Sequence, residues 1–298
     1  MAHKLKNIDQ QVVVITGASS GIGLATALAA AEQGAKVALL ARSEETLNEI
    51  AMSINGEGGE ALPIALDVAD REAVEAAADQ IVGRFGRIDT WVNNAGVAIY
   101  WKIEEVADAD NRRLFETNFW GVVYGSLAAL PYLKQSGGAL INVGSEVSEA
   151  VIPLQGMYST SKHAVKGFTD SLRVESELVE EAPVSITLIQ PTAVNTPYPE
   201  HARNYMDKEP KLPTPQIDPR QVAGAIIHAA TNGGRDVKVG AMSRMNTLMS
   251  SMLPKLADRM SAMQAKRQQK NERPRNPEGT LFEAGQSGRV YGNSPSMQ

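Results

Sequence analysis

The sequence predicts an α/β protein built on a doubly wound parallel β-sheet with helices on both faces, followed by a C-terminal helical extension. Three observations lead there. From Val12 to about Gly240, short β-branched runs alternate with longer Ala-rich stretches, the order expected of strand–helix units joined by right-handed crossovers. Several of the short runs are apolar throughout, as in strands buried on both faces. After Gly240 the strand signals stop, and a Met- and Ser-rich segment takes over.

In chain order, the strands are expected at Val12–Thr16, Lys36–Leu40, Ala61–Leu66, Ile88–Val92, Ala139–Val143, Val184–Ile189 and Asp236–Val239. Helices are expected at Ile22–Gln33, Ser43–Ile54, Arg71–Phe85, Asn111–Leu130 and Met157–Glu180. Residues 1–240 then form a nucleotide-binding catalytic domain of Rossmann type, and residues 241–298 an amphipathic extension with an irregular tail. Within the extension, Met242, Met245, Leu248, Met249, Met252, Leu253, Leu256, Met260 and Met263 recur at helical spacing and imply one adaptable apolar face. Pro254 kinks this segment or starts a second helix. From Asn271 the chain is polar and broken by Pro274, Pro277 and Gly279, with Leu281, Phe282 and Tyr291 as possible anchors.

Composition narrows the function. A net charge of −5 gives no reason to expect nucleic acid. The absence of cysteine removes disulfides, thiol nucleophiles and thiolate metal sites, and no metal site is expected. The polar start of the chain lacks the apolar core of a signal peptide, and the longest charge-free apolar stretch, Phe119–Leu133, is short for a membrane span. A soluble, cytoplasmic protein is expected.

Ligands in doubly wound sheets bind beyond the carboxyl ends of the strands, so the chemistry is sought just after each strand. The first strand runs into Thr16-Gly17-Ala18-Ser19-Ser20-Gly21-Ile22-Gly23, with a helix following. Gly17 permits a tight turn, Gly21 lets the backbone approach a pyrophosphate, and Gly23 lets helix and strand pack closely. Free N–H groups at the helix start then face the anion. Arg42 ends the second strand, nineteen residues after Gly23, where an acid would bind the ribose hydroxyls of NAD and an arginine accommodates the phosphate of NADP. No Asp or Glu ends that strand, so NADP(H) is the expected cofactor.

The fifth strand is followed by Ser145, and the next helix carries Tyr158 and Lys162, four residues apart on one helical face. A free phenol titrates near pH ~10, and a nearby ammonium should lower that value. With Ser145 holding a substrate oxygen, the set would polarise a carbonyl and exchange a proton with it.

In combination these motifs resemble the short-chain dehydrogenase/reductase family, in its branch with one-domain subunits. The resemblance covers roughly residues 11–240. It rests on Thr16–Gly23, Asp67-Val68, Asn93-Asn94-Ala95-Gly96, Asn118, Ser145, Tyr158 with Lys162, and Pro191 through Thr196, with Tyr158 thirteen residues after Ser145. It implies that Tyr158 is the acid in reduction and the base in oxidation. Lys162 would bind the nicotinamide ribose and lower the pKa of Tyr158, and Ser145 would position the substrate oxygen. Asn118 would help hold a water that relays protons through Lys162. Asp67 and Val68 would meet the adenine, Asn94, Ala95 and Gly96 would line the cofactor cleft, and Val194 and Thr196 would hold the carboxamide. Asn93 is expected to stabilise the sheet. One departure is Thr192, which stands where the family usually has glycine and is expected to shift or narrow the nicotinamide end of the cleft.

The expected substrate pocket draws on Val97 to Trp101, Glu146, Val147, Ile152, Met157 and Tyr198–Met206, which favours an apolar ketone, aldehyde or secondary alcohol. Glu146 stands out as a carboxylate beside the catalytic serine, either recognising a polar group or simply solvated. The resemblance implies a homo-oligomer, dimer or tetramer. The extension, with Arg244, Lys255, Arg259, Lys266, Arg267, Lys270, Arg273 and Arg275 against Asp258 and Glu272, is expected to form a lid or subunit contact ahead of a peripheral membrane contact. Two readings compete with a reductase: a non-enzymatic NADP(H) sensor or scaffold on the same fold, and an NAD-linked alcohol dehydrogenase, against which Arg42 argues.

Overall fold

Val12–Thr16 is five buried residues in succession and becomes β1, the strand from which the sheet is wound. The computed structural model describes residues 4–285 and 288–292. After β1 come α1 (Gly21–Glu32), β2 (Lys36–Ala41), α2 (Glu44–Gly56), β3 (Glu60–Ala65), α3 (Arg71–Phe85), β4 (Thr90–Asn93) and the short β5 (Ile99–Tyr100). They are followed by α4 (Asp108–Phe115), α5 (Gly121–Ser136), β6 (Ala139–Val143), α6 (Gly156–Arg173), β7 (Ser185–Pro191), α7 (Tyr198–His201) and β8 (Arg203–Asn204). The last elements are α8 (Pro219–Asn232), β9 (Asp236–Val239), α9 (Ala241–Met252) and α10 (Pro254–Ala262).

The seven expected strands all enter one sheet, in the order β3-β2-β1-β4-β6-β7-β9, and every pairing is parallel. The chain winds outwards from β1 to β3 and then crosses back to β4, so the order reverses between β1 and β4 and opens a crevice beyond their carboxyl ends. One face is covered by α1, α2 and α8 through Leu24, Ala27, Leu47, Ile50, Val222 and Ile226. The other is covered by α3, α5 and α6 through Val74, Ile81, Ala129, Leu133 and Leu172.

Several local features differ from the sequence expectation. The helix expected to end at Leu130 continues through Pro131 to Ser136, because Ala129 and Leu133 are buried on the core face and hold it in register; Gly137, with φ +66°, ends it. A π-helical turn (Glu116–Trp120) joins α4 to α5, and another (Val174–Val179) continues α6. The two-residue strands β5 and β8 pair with each other outside the main sheet. Pro254 starts a second helix, as one of the two expected possibilities had it. The apolar stripe of the extension does not turn inwards as a unit. Instead α9 docks through polar groups: Ser243 Oγ donates to the Gln190 carbonyl at 2.8 Å, and Lys238 Nζ donates to Thr247 Oγ1 at 2.7 Å. Met245, Leu248, Met252, Leu253, Leu256 and Met263 are left exposed. Among the described residues, no helix is long and apolar enough to cross a membrane.

Candidate active site

The turn after β1 is shaped by what a side chain would strike. Gly17 (φ +68°) would bring a Cβ to 2.8 Å from the Ala95 Cα, and a Cβ at Gly23 would overlap the Gly17 carbonyl. The loop after β4 is tied to this turn: Thr16 Oγ1 accepts from the Asn94 and Ala95 N–H groups at 3.0 and 3.1 Å, and Asn94 Nδ2 donates to the Thr16 carbonyl at 3.0 Å. Thr16 and Gly23 therefore sit behind the turn, and neither lines the cavity in front of it. Both were expected to touch the cofactor; the structure gives them the role of building its floor.

That cavity, of about 260 Å³, follows the crevice between β1 and β4. Its floor carries Gly17, Ser19, Ser20, Gly21 and Ile22, its outer end Arg42, Asp67 and Val68, and its middle Asn94, Ala95, Gly96, Val194 and Thr196. Its inner end carries Ser145, Tyr158 and Lys162. Residues spread over more than 150 positions of sequence thus meet in one cleft. Asn93 faces away from it. Its side chain accepts from Trp91 Nε1 at 2.8 Å and donates to Ser126 Oγ at 3.0 Å and Asn142 Oδ1 at 2.9 Å, pinning β4 to α5 and β6.

At the inner end, Ser145 opens a 3₁₀ turn (Glu146–Ser148), and its hydroxyl accepts from the Val147 N–H. The hydroxyls of Ser145 and Tyr198 are hydrogen-bonding partners of Tyr158. Lys162 Nζ donates to the Val143 carbonyl at 2.8 Å and lies 5.7 Å from the centre of the Tyr158 ring. Burial pushes the Tyr158 phenol up to about 12, and the neighbouring Glu146 charge adds to this rise. The same burial brings Lys162 down to about 8. The expected lowering of Tyr158 by Lys162 does not figure here; the hydrogen bonds of Tyr198 and Ser145 are what lower it, and desolvation of the phenolate outweighs them.

The side chain of Asn118 is engaged within the protein. It is fully buried in the π-helical turn, accepting from the Val97 N–H at 2.8 Å and donating to the Val97 carbonyl at 2.9 Å and Ser161 Oγ at 3.1 Å. Its side chain clamps the loop after β4 to α6, which leaves it no face on the cavity. Glu146 is not a solvated carboxylate. It is held by Asn246 Nδ2 at 3.0 Å and by Thr192, and burial raises its pKa. Thr192 thus serves as a partner for Glu146, while its methyl lies where a side chain at Gly240 would be.

The outer end is crossed by the tail of the chain. Leu281 is buried among Val97, Ile99 and Leu114, and the tail then crosses the cleft. Arg42, expected to meet a ribose phosphate, donates to the carbonyls of Thr280, Leu281 (3.3 Å) and Phe282 (3.1 Å). The Gly21 N–H, at the start of α1, donates to the Arg289 carbonyl at 2.9 Å. Asp67 is ion-paired with Arg113. Of the suggested tail anchors, Leu281 is buried, Tyr291 reaches the Asp218 carboxylate at 3.3 Å, and Phe282 is exposed.

A glycine-lined turn at a helix start, an arginine after β2, and Ser145, Tyr158 and Lys162 converging at the far end form one cleft. The short chain dehydrogenase family model matches residues 11–206. The chain belongs to the short-chain dehydrogenase family. It is 44% identical over 287 residues to the uncharacterized oxidoreductase YxnA of Bacillus subtilis, covering 95% of this chain and 80% of the relative. It is 32% identical to the 11-beta-hydroxysteroid dehydrogenase A of Sesamum indicum, covering 85% and 75%. Among solved structures, an alcohol dehydrogenase from the archaeon Thermococcus sibiricus complexed with 5-hydroxy-NADP superposes with a TM-score of 0.68 at 31% identity, covering 77% of this chain and 94% of that one. The protein is an oxidoreductase of this short-chain dehydrogenase type.

In this short-chain dehydrogenase the cleft is also walled by Val97, Ala98, Val147, Ile152, Tyr198 and Leu212. Ile99, Tyr100 and Trp101, expected to line a substrate pocket, do not reach the cleft, because β5 is drawn into its own ladder with β8 and packs as core, and Met157 of α6 does not line it either. Gln155 and Pro213 line the cleft without having been singled out from the sequence, where no spacing links them to Ser145, Tyr158 or Lys162, while His201 lines it from within the expected stretch Tyr198–Met206. A second cavity of about 120 Å³ lies behind Glu146, walled by Met242, Met249 and Met260 of the extension.

Proposed function

We propose that the protein is an NADP(H)-dependent reductase of largely apolar ketones or aldehydes, with Tyr158 as the proton donor. The observation that carries this reading is the convergence of Ser145, Tyr158 and Lys162 at the apolar end of a cleft whose other end presents Arg42. The cleft residues fit a dinucleotide. Gly17 and Gly23 leave no room for side chains and so admit close backbone approach, and α1 begins at the turn with its N–H groups forward. Ser19, Ser20, Gly21 and Ile22 would hold the pyrophosphate, Asp67 and Val68 the adenine, Lys162 the nicotinamide ribose, and Val194 and Thr196 the carboxamide. Arg42 would meet the extra phosphate of NADP, once released from the tail carbonyls, because a guanidinium suits that anion and no acid stands at the end of β2. The NADP-type ligand of the archaeal alcohol dehydrogenase supports the same choice.

The reduced nicotinamide supplies the hydride when bound. Ser145 and Tyr158 place their hydroxyls on the substrate oxygen, and the Tyr158 O–H bond breaks as its proton passes to that oxygen. Lys162, brought down to about 8, still carries its charge at neutral pH, and its field favours the phenolate that proton transfer leaves on Tyr158. The apolar wall of Val97, Ala98, Val147, Ile152 and Leu212 excludes water and selects an apolar substrate.

The test is consumption of NADPH and NADH, in parallel, against a panel of ketones and aldehydes, with Tyr158→Phe as control. The expected result is NADPH-dependent turnover that falls about 10²- to 10⁴-fold in the variant, with NADPH affinity retained. Turnover unchanged by the substitution sinks the role of Tyr158, and equal use of NADH sinks that of Arg42.

A further inference from the structure

Helix α9 packs its polar face inward. Ser243 and Thr247 are 0 and 1% exposed, and Asn246 between them donates to Glu146 Oε2 at 3.0 Å. The apolar residues that α9 does turn inward, Met242 and Met249, wall the small cavity behind Glu146. On the outer side, Met245, Leu248 and Met252 recur at helical spacing, with Leu248 60% and Met252 69% exposed. The stripe runs on into α10, where Leu253, Leu256, Met260 and Met263 follow at spacings of three and four and are all exposed. A surface helix ordinarily buries such a stripe against its own core. Among the described residues nothing covers this one, and the tail beyond it is anchored elsewhere, through Leu281 against Leu114. A lid over the active site would turn the stripe inward; the structure turns it out.

Charge indicates what the stripe meets. The whole chain is at −5, yet residues 241–275 carry eight Lys and Arg against two acids. Arg244, Lys255, Arg259, Lys266 and Arg267 are exposed, and none of them forms an ion pair with another described residue. They are interleaved with the apolar residues: Arg244 shares the outer side of α9 with Leu248, four residues on, and Lys255 and Arg259 alternate with Leu256 and Met260 in α10. The centre of a protein–protein interface is depleted of charge, which this face is not. A second copy presenting the same face would bring these cations against one another. An anionic bilayer satisfies both sets at once, because Lys and Arg lay their stems along apolar surface and raise their charged ends to the headgroups.

We propose that the outer face of α9 and α10 is a membrane-docking surface, which lies in the interface of an anionic lipid bilayer with Leu248, Met252, Leu256 and Met263 entering the acyl boundary. Neither helix spans the bilayer; they lie on it, and Ser243 and Thr247 fasten them to the body of the enzyme through the Gln190 carbonyl and Lys238. The polar inward face is then what lets α9 hold the protein while leaving its apolar residues to the lipid.

The experiment sediments the full chain with vesicles of phosphatidylcholine, alone or with about one-third phosphatidylserine. Binding to the anionic vesicles is expected, falling steeply by about 0.5 M salt. Arg244→Glu combined with Arg259→Glu should weaken it at least about thirtyfold, since each basic residue near an anionic surface contributes about a fivefold factor. Leu248→Ser combined with Leu256→Ser should weaken it at least about tenfold. All four positions are exposed, and circular dichroism checks that both variants are folded. No binding to the anionic vesicles overturns the proposal, as does equal binding to phosphatidylcholine alone. Binding that the serine variant retains in full shows adhesion by charge without entry of the stripe, and overturns it too. If the serine variant sediments as a smaller particle than the parent protein without lipid, the face belongs to a second copy and the proposal fails.

Discussion

Lys162 Nζ donates to the Val143 carbonyl at 2.8 Å while it lies 5.7 Å from the centre of the Tyr158 ring. The last carbonyl of β6 therefore anchors the ammonium under the tyrosine that α6 presents one turn earlier. One bond ties the charge to the sheet, so the field at Tyr158 depends on the register of β6 against its neighbours as much as on the helix.

This arrangement has a measurable pH signature. Burial lowers Lys162 from 10.5 to about 8 in the folded protein. Between those values the unfolded chain holds a proton that the folded one has released, so stability contributed by this group rises with pH. Relative to Lys162→Met, the unfolding free energy should climb by about 2 kcal/mol from pH 7 to pH 9.5. Urea unfolding of both proteins at the two pH values checks this, and parallel behaviour would show that Lys162 does not titrate in that window.

Arg42 offers a second test. Its loss should weaken NADPH binding about ten- to a hundredfold, the scale of charge-assisted hydrogen bonds to a phosphate, and leave NADH nearly unaffected. Calorimetric titration of Arg42→Ala with each cofactor measures the difference. An equal loss for both would mean that Arg42 matters only through the tail it holds.

Asn93 separates scaffold from site. Asn93→Ala leaves the buried Trp91 Nε1–H and the Asn142 side chain short of partners, which should cost about 2–4 kcal/mol of stability. Because Asn93 does not line the cleft, cofactor affinity of the folded fraction should hold. Urea unfolding and cofactor titration of the same variant check the two halves.

Much of this architecture is legible in the sequence because burial on both faces leaves a simple mark. Val12–Thr16 and Ala139–Val143 are apolar but for Thr16 and Asn142, and they became central strands. The glycine turn and the Tyr158–Lys162 spacing are local, so pattern alone brings their members together. What escaped is what depends on distant partners. Ile99 and Tyr100 look like pocket lining until Arg203 and Asn204 pair with them. The methionines of α9 and α10 suggest an inward face, yet Ser243 and Thr247 do the docking because sheet-edge groups are there to receive them. Gln155 and Gln268, 113 residues apart, carry no signal, since each finds its partner only in the folded chain.

Arg42 is gripped by main-chain carbonyls, not by the side chains of Thr280, Leu281 and Phe282. Every residue type has that carbonyl, so the grip is nearly blind to what Thr280 and Phe282 are. It is not blind to how many residues lie between Gln268, locked onto Gln155, and Leu281, seated against Leu114. That connector works as a ruler: one residue removed or added would either unseat Leu281 or slide the carbonyls off the guanidinium. Changes of length between residues 269 and 280 should therefore disturb the cofactor cleft more than changes of letter, and substitution scanning alone would pass over the coupling.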